Sequence, residues 1–278
     1  MKALFDIAAP AKLNLFLHIV GRKPDGYHLL QSVFMLIDWH DSLHFELRND
    51  GVISREDLLT PLPANDLIVR AAHALQQFSG CSLGAHIGIE KRIPAQAGMG
   101  GGSSDAASTL LALNQLWRLG LSCHQLQTIG IQLGADVPFF LLGQNAWVEG
   151  IGERMTPIEI PASQFVVLKP MQGLETQRIF SHPDLKRDTK PATILDFAAD
   201  PFGFGLNDLQ AVAQALNPGV LQAIEWLGTQ GLKARMTGSG SAVFARVMHN
   251  ANLKNIPDSF QANICNSLLA HPLQGWCS

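Results

Sequence analysis

The chain has 278 residues, 47% of them hydrophobic and 15% charged, enough for one large or two modest domains around a well-buried core. A formal charge of −3 and a pI near 6.3, without any cluster of Lys or Arg, leave no electrostatic footprint for nucleic acid or an anionic membrane. Asp6, Pro10 and Lys12 interrupt the apolar start before a leader core forms, and no run reaches the ~20 apolar residues of a membrane span, so a cytoplasmic protein is expected.

In chain order, the odd positions Leu13, Leu15, Leu17 and Ile19 are apolar, which predicts a half-buried strand with Lys12, Asn14, Phe16 and His18 on its other face. Turn residues Gly21 to Gly26 follow, and a returning strand is expected from Tyr27 to Ile37. The polar stretch from Asp50 to Glu56 reads as a loop. Asn65 or Asp66 caps a helix from Leu67 to Phe78, and His86 to Ile93 reads as a strand feeding a glycine-rich run. Beyond that run, helices are expected from Ala106 to Trp117 and from Cys123 to Leu133. A short strand, Phe165 to Leu168, then leads to a polar, proline-containing stretch from Ser181 to Pro191. The remainder predicts helices at Asp208 to Leu216 and Gly219 to Thr229, short strands at Ala234 to Met236 and Ala242 to Val247, and a final helix from Ser259 to Ala270. Helices and strands without a strict βαβ repeat give an α+β fold, with a domain boundary expected near residue 155. Cys81, Cys123, Cys265 and Cys277 contain no C-x-x-C pair and suit reduced thiols, with Cys277 at an exposed tail.

The run Gly98-Met99-Gly100-Gly101-Gly102-Ser103-Ser104-Asp105 carries the strongest chemical signal. Ala106, Leu110, Leu113 and Trp117 recur on one helix face, so the helix is expected to start near Ser103 or Ser104, with the glycines at its N-terminus. Glycines let backbone approach a ligand closely, and the unpaired N–H groups of a first helical turn favour an anion. A flexible loop with a Ser cap is the competing explanation. No Gly-Lys-Ser or Gly-Lys-Thr exists for a Walker A loop, the dinucleotide G-x-G-x-x-G pattern fails at Ser103 and Val243, and the protein-kinase signatures are absent.

Lys12 and Asn14 sit two apart on one strand, ~7 Å between side chains. A strand lysine alone is most often solvated, and Asp136, ahead of Pro138, is most often a turn or N-cap residue. Together with a phosphate loop, however, they supply the parts for phosphoryl transfer to an alcohol: a proton acceptor, a cation for developing charge, and a donor cradle. Tyr27 and His28 could stack on a base or read its edge. No His, Cys and acidic set has metal-ligand spacing, so no metal ligand is assigned.

With these residues in view, the chain resembles the GHMP kinase superfamily of small-molecule kinases. Pro10-Ala11-Lys12-Leu13-Asn14-Leu15, Pro94 to Ser104, and Thr237-Gly238-Ser239-Gly240-Ser241 match its three motifs and span nearly the whole chain. The segments Gly21 to His28 and Gly134-Ala135-Asp136-Val137-Pro138-Phe139-Phe140 resemble a branch acting on a cytidine diphosphate-linked methylerythritol in the non-mevalonate route to isoprenoid precursors. That resemblance implies a two-domain α+β fold, with an N-terminal ATP-binding domain at 1–155 and a smaller C-terminal domain at 156–278. It implies ATP and Mg2+, transfer to the substrate's 2-hydroxyl, and Asp136 as general base with Lys12 as its electrostatic partner. Pro94, Ala95, Gln96, Ala97, Gly98, Met99, Gly100, Gly101, Gly102, Ser103 and Ser104 would hold the nucleotide, with Asn65 and Asp66 near the adenine. Asn14, Tyr27, His28, Phe180, Gly238, Ser239 and Gly240 would bind substrate, Phe180 on the local match Thr176-x-x-Ile179-Phe180. Ala95-Gln96-Ala97 departs from the glycine-richer loop entry of many members. The expected partner is this small molecule, with no nucleic acid or membrane, and the protein a monomer or weak homodimer. Two other readings remain: a homoserine or mevalonate kinase would need no cytosine pocket, and a silent nucleotide binder would not need both Lys12 and Asp136.

Overall fold

A computed structural model describes residues 2–247, 253 and 255–277. Two long antiparallel strands, β1 (Ala3–Arg22) and β2 (His28–Arg48), open the chain, joined through the turn residues at 23–27. There follow β3 (Ile53–Asp57), α1 (Leu67–Ser79), β4 (Gly84–Glu90), α2 (Gly101–Leu116), α3 (Cys123–Leu133), α4 (Val137–Leu142), β5 (Ala146–Gly150) and β6 (Arg154–Pro157). The remaining elements are β7 (Gln164–Pro170), α5 (Thr176–Phe180), α6 (Ile194–Ala199), α7 (Gln210–Leu216), α8 (Pro218–Thr229), β8 (Ala234–Met236), β9 (Val243–Val247) and β10 (Phe260–Asn266). One sheet has the order β3-β4-β2-β5-β6, with β1 also paired to β2, and the other the order β10-β7-β9-β8. This is the expected α+β arrangement.

The buried strand β1 differs from the half-buried expectation: Lys12 and Asn14 are about as buried as their neighbours Leu13 and Leu15. Its bulges, between Pro10 and Ala11 and between Asn14 and Leu17, re-aim side chains along its length. Ile7 and Ala9 consequently join the core around α1 and α2, Leu13 to Phe16 a second cluster, and Leu17 and Ile19 the core under α7 and α8. A strand with apolar matter on both faces leaves its few polar side chains enclosed.

Two local assignments are corrected. Residues 53–57 form a strand parallel to β4, where the charges of Ile53-Ser54-Arg55-Glu56-Asp57 had suggested a loop; Arg55 and Asp57 neutralise each other, with N–O 2.7 Å. The expected final helix is instead the edge strand β10, antiparallel to β7 from Phe260 to Asn266. Phe260, Ile264 and Leu268 have helical spacing, but β7 offers an open row of backbone partners, and that tertiary pairing overrides the local period.

Past β10 the chain returns to the first sheet: the Leu268 N–H donates to the Leu36 carbonyl, and the His271 N–H to that of Gly143. This course brings Cys277 to Cys123, 154 residues earlier, and they form a disulfide with 5.0 Å between Cα atoms. The expectation of four reduced thiols is therefore wrong for this pair and holds for Cys81 and Cys265. On the same segment His271 is buried, accepts the Leu273 N–H at Nδ1, and leaves Nε2 without a partner among the described residues. Burial lowers its pKa to about 4. The unfolded chain, with an ordinary histidine near 6.5, binds the extra proton between those values, so stability falls as pH drops through this window. The expected loss is about 3 kcal/mol by pH 4. In urea titrations across that range, His271→Asn should flatten the slope by close to one proton; an unchanged slope would remove the assignment.

Candidate active site

The glycine-rich run meets the other predicted motifs in one open cavity of ≈960 Å³. Gly100 stands at the N-cap of α2 in the left-handed region, φ 71°, without a side-chain cap. The helix therefore starts at Gly101, two or three residues earlier than the apolar face predicts. The N–H groups of its first turn have no intrahelical acceptors and open on the cavity lined by Gly100 to Ser103. Gly98, φ 72°, packs so closely on the C-terminal loop that a Cβ would lie 2.3 Å from the Thr237 carbonyl oxygen. Sequence-distant loops are thus locked together, with the Ser241 N–H donating to the Gln96 carbonyl.

Lys12 is fixed beside this loop. Its N–H donates to the Met99 carbonyl, and its ammonium lies 2.5 Å from Asn14 Oδ1, 4.6 Å from the Phe34 ring centroid and 3.5 Å from Asp136 Oδ2. Asn14 is itself held: its N–H donates to Thr237 Oγ1 and its Nδ2 to Ser32 Oγ, each at 2.8 Å. Asp136 occupies the N-cap position of α4 but makes no capping hydrogen bond, which leaves the half-buried carboxylate facing Lys12. A carboxylate able to take a proton, a buried cation and an anion-binding helix start therefore share one space.

The other expected residues divide into two groups. Pro94 to Gly102, Ser103, Asn65, Asp66, Phe180, Gly238, Ser239 and Gly240 line the cavity. Asp66 also caps α1, accepting from the Val69 N–H, and pairs with Arg55 at 2.6 Å. Ser104 does not line it; it is buried under the loop with an Oγ unpartnered among the described residues, so only one of the two serines is presented to the cavity. Tyr27 and His28 are also absent from the walls. Tyr27 is 62% exposed, and His28 stands behind Phe180 with ring centroids 5.2 Å apart.

Sequence reasoning missed a buried ionic cluster behind the loop. Lys91, itself lining the cavity, donates to Asp41 and, at 2.7 Å, to Asp105 Oδ2. Asp41 Oδ1 accepts the N–H groups of Arg92 and Ile93, which fixes the entry to the loop. Burial pushes the Asp105 carboxyl well above the usual carboxylate range, against the pull of Lys91, and Asp41 adds to the upward push. These residues lie at 41, 91 and 105, a separation with no local signature.

Among the described residues no group of three His, Cys, Asp or Glu could hold a metal, and no helix is long and apolar enough to cross a membrane. This donor set fits Mg2+ as an ion carried mainly on phosphate oxygens and water, with at most one or two protein carboxylates.

A mixed two-sheet fold whose glycine loop opens a helix beside a buried Lys and the Asp paired with it defines a GHMP-type small-molecule kinase. The sequence profiles of two families match: GHMP kinases N terminal domain over residues 66–144, and GHMP kinases C terminal over residues 194–264. The chain is 68% identical over 276 residues to the 4-diphosphocytidyl-2-C-methyl-D-erythritol kinase of Albidiferax ferrireducens, covering 99% of this chain and 96% of the relative. It is 63% identical to the enzyme of that name from Delftia acidovorans, covering 99% and 98%. A crystal structure of 4-(cytidine 5'-diphospho)-2C-methyl-D-erythritol kinase superposes with a TM-score of 0.79 at 32% identity, covering 94% of this chain and 98% of that one. The chain belongs to the 4-diphosphocytidyl-2-C-methyl-D-erythritol kinase family.

Proposed function

We propose that this kinase transfers the γ-phosphate of ATP to the 2-hydroxyl of 4-diphosphocytidyl-2-C-methyl-D-erythritol, with Asp136 as general base and Lys12 as its electrostatic partner. The observation that carries the assignment is the meeting of Lys12, Asn14 and Asp136 with the start of α2 in one cavity. Asp136 accepts the hydroxyl proton, the substrate oxygen attacks the γ-phosphorus, and the bond to the bridging oxygen of ADP breaks. Lys12 offsets the negative charge that develops during attack. Residues 94–104 cradle the triphosphate, with Ser103 as the hydroxyl on the cavity side, while Asn65 and Asp66 border the adenine. Mg2+, when bound with the nucleotide, neutralises phosphate charge.

Asn14 and the Gly238 to Gly240 loop position the acceptor, and Tyr27, His28 and Phe180 enclose the cytosine. Phe180 lines the present cavity and Tyr27 and His28 do not, so this role requires the Tyr27-His28 turn to close onto it when substrate binds. The same reading divides the chain into an ATP-binding part, residues 1–155, and a smaller part, residues 156–278. The two sheets support the division, and β6 sits at its seam. It also keeps the chain in the cytoplasm as a monomer or weak homodimer, without a nucleic-acid or membrane partner.

ADP release in the presence of ATP and magnesium tests the assignment, with the cytidylylated alcohol set against its uncytidylylated phosphate, homoserine and mevalonate. Activity confined to the cytidylylated alcohol is expected. Turnover of another alcohol instead would retain a GHMP kinase and discard the substrate, and no turnover of any would favour a silent nucleotide binder.

A further inference from the structure

We propose that the Cys123–Cys277 disulfide is a redox-labile clasp on α4: closed, it holds Asp136 opposite Lys12, and a dithiol that opens it slows phosphoryl transfer. This rests on the assignment of Asp136 as the base and of the chain to the cytoplasm. The two cysteines belong to the two segments that grip α4. On one side α3 packs so closely that a Cβ at Gly130 would lie 2.9 Å from Val137 Cγ1 and from Leu141 Cδ1. On the other, the segment after β10 meets the end of α4: the His271 N–H donates to the Gly143 carbonyl at 2.9 Å, and Leu273 is buried in the same core as Val137, Phe139 and Leu141. Cys123 is the first residue of α3, and Cys277 follows Trp276, whose carbonyl accepts from Gln115 Nε2 of α2 at 2.7 Å. The disulfide therefore closes a ring that runs through α3, α4, the Gly143–His271 hydrogen bond and residues 271–277. Asp136 makes no capping bond, so its place opposite Lys12 follows the helix it precedes, whereas Lys12 is fixed separately by Met99 and Asn14.

Access separates this disulfide from a purely structural staple. Cys277 lines a second open cavity, of ≈360 Å³, between the turn after α2 and residues 275–277. Arg118 stands in its wall and favours an incoming thiolate. That thiolate, from a dithiol, attacks Cys277 Sγ; the Sγ–Sγ bond breaks and Cys123 leaves as a thiolate. It leaves at the N-terminus of α3, where the positive end of the helix dipole favours an anion. The second thiol of the reductant then attacks the mixed disulfide, expels Cys277 as a thiolate and becomes a disulfide itself, so two electrons pass to the protein. Of the free cysteines, Cys265 is buried, and burial pushes its thiol up, which keeps it out of the exchange. A cytoplasm keeps accessible thiols reduced, so a reachable disulfide there responds to the redox state rather than serving as a permanent brace.

Alkylation of the folded protein, read by mass spectrometry, tests the lability. Dithiothreitol should free Cys123 and Cys277 without denaturant, and glutathione disulfide should close them again. Four free thiols before any reductant is added, or a bond that opens only in denaturing urea, would overturn the proposal. Turnover well below the melting temperature of both forms tests the coupling. On opening, kcat should fall about tenfold and return on closure. Cys123→Ser and Cys277→Ser should each match the opened enzyme and ignore the reductant. The melting temperature should drop by roughly 5–10 °C in all three. A purely structural staple would lower the melting temperature alone, so an unchanged kcat refutes the clasp. In Asp136→Asn the residual turnover should be the same open or closed, because the group whose position is at stake is gone. A tenfold response that persists in that variant would mean that the ring acts elsewhere and would also refute the clasp. Failure of the base assignment reads separately, as near wild-type turnover of closed Asp136→Asn.

Discussion

Asp136→Asn is expected to lower kcat by about three orders of magnitude while the thermal stabilisation produced by ADP stays at the wild-type value. In barrier terms that is about 4 kcal/mol. The size of the effect follows from what the substitution changes and what it leaves. Asparagine keeps the shape of the side chain at the start of α4 but cannot accept the proton of the attacking hydroxyl. Lys12 should not drift when its charged neighbour is lost, because Asn14 Oδ1 is closer to it, at 2.5 Å, than Asp136 is at 3.5 Å. Asn14 is in turn held by Thr237 and Ser32. The variant therefore isolates the base from the cation. Single-turnover measurement with saturating ATP separates chemistry from product release. Nearly wild-type turnover would mean that another group takes the proton, and the constellation would lose its proposed logic.

The elements that sequence reading placed well are those in which one local signal sufficed. The α3 helix has a capping box, Ser122 with Gln125, at one end and Gly134 at the other, and its predicted span from Cys123 to Leu133 matches the structure. At the glycine run, local conformation and the proposed chemistry coincide: Gly100 makes the turn, and the first-turn N–H groups it exposes are the proposed phosphate cradle. Where several partners compete for a segment, the local period is a poorer guide. Residues 260–266 could satisfy a helical face or the free edge of β7, and only the folded sheet decides between them. The site divides in the same way. Lys12, Asn14 and Asp136 were legible because their chemistry made sense jointly, although burial of Lys12 needed the bulges of β1. The Cys123–Cys277 pair was hidden, because each cysteine acts through a partner more than a hundred residues away. Lys91 escaped for a related reason: a lysine near the end of the strand expected from His86 to Ile93 resembles a solvated residue until the two carboxylates around it are seen.

Lys91→Met is expected to cost about 3–5 kcal/mol of unfolding free energy at neutral pH, the penalty of leaving buried carboxylates without their cation. Lys91 is the shared partner of Asp41 and Asp105, both almost fully removed from solvent. Their fates should differ. Asp41 retains the N–H groups of Arg92 and Ile93, whereas Asp105 keeps an oxygen without a partner among the described residues and is already pushed upward by burial. Without Lys91 the Asp105 carboxyl rises further and holds a proton in the folded state that the unfolded chain, near 3.9, releases. The folded state then binds more protons across that interval, so the variant should recover stability as pH falls toward the unfolded value. Asp105→Asn, alone, should cost less than Lys91→Met, and adding it to Lys91→Met should return part of the loss, because it removes one of the two stranded charges. Urea unfolding of the three variants at about pH 8 and about pH 5 reads all of this in one series. An equal loss for Lys91→Met at both values, unrelieved by Asp105→Asn, would mean that the lysine contributes packing rather than charge, and that the glycine loop is anchored by something other than this cluster.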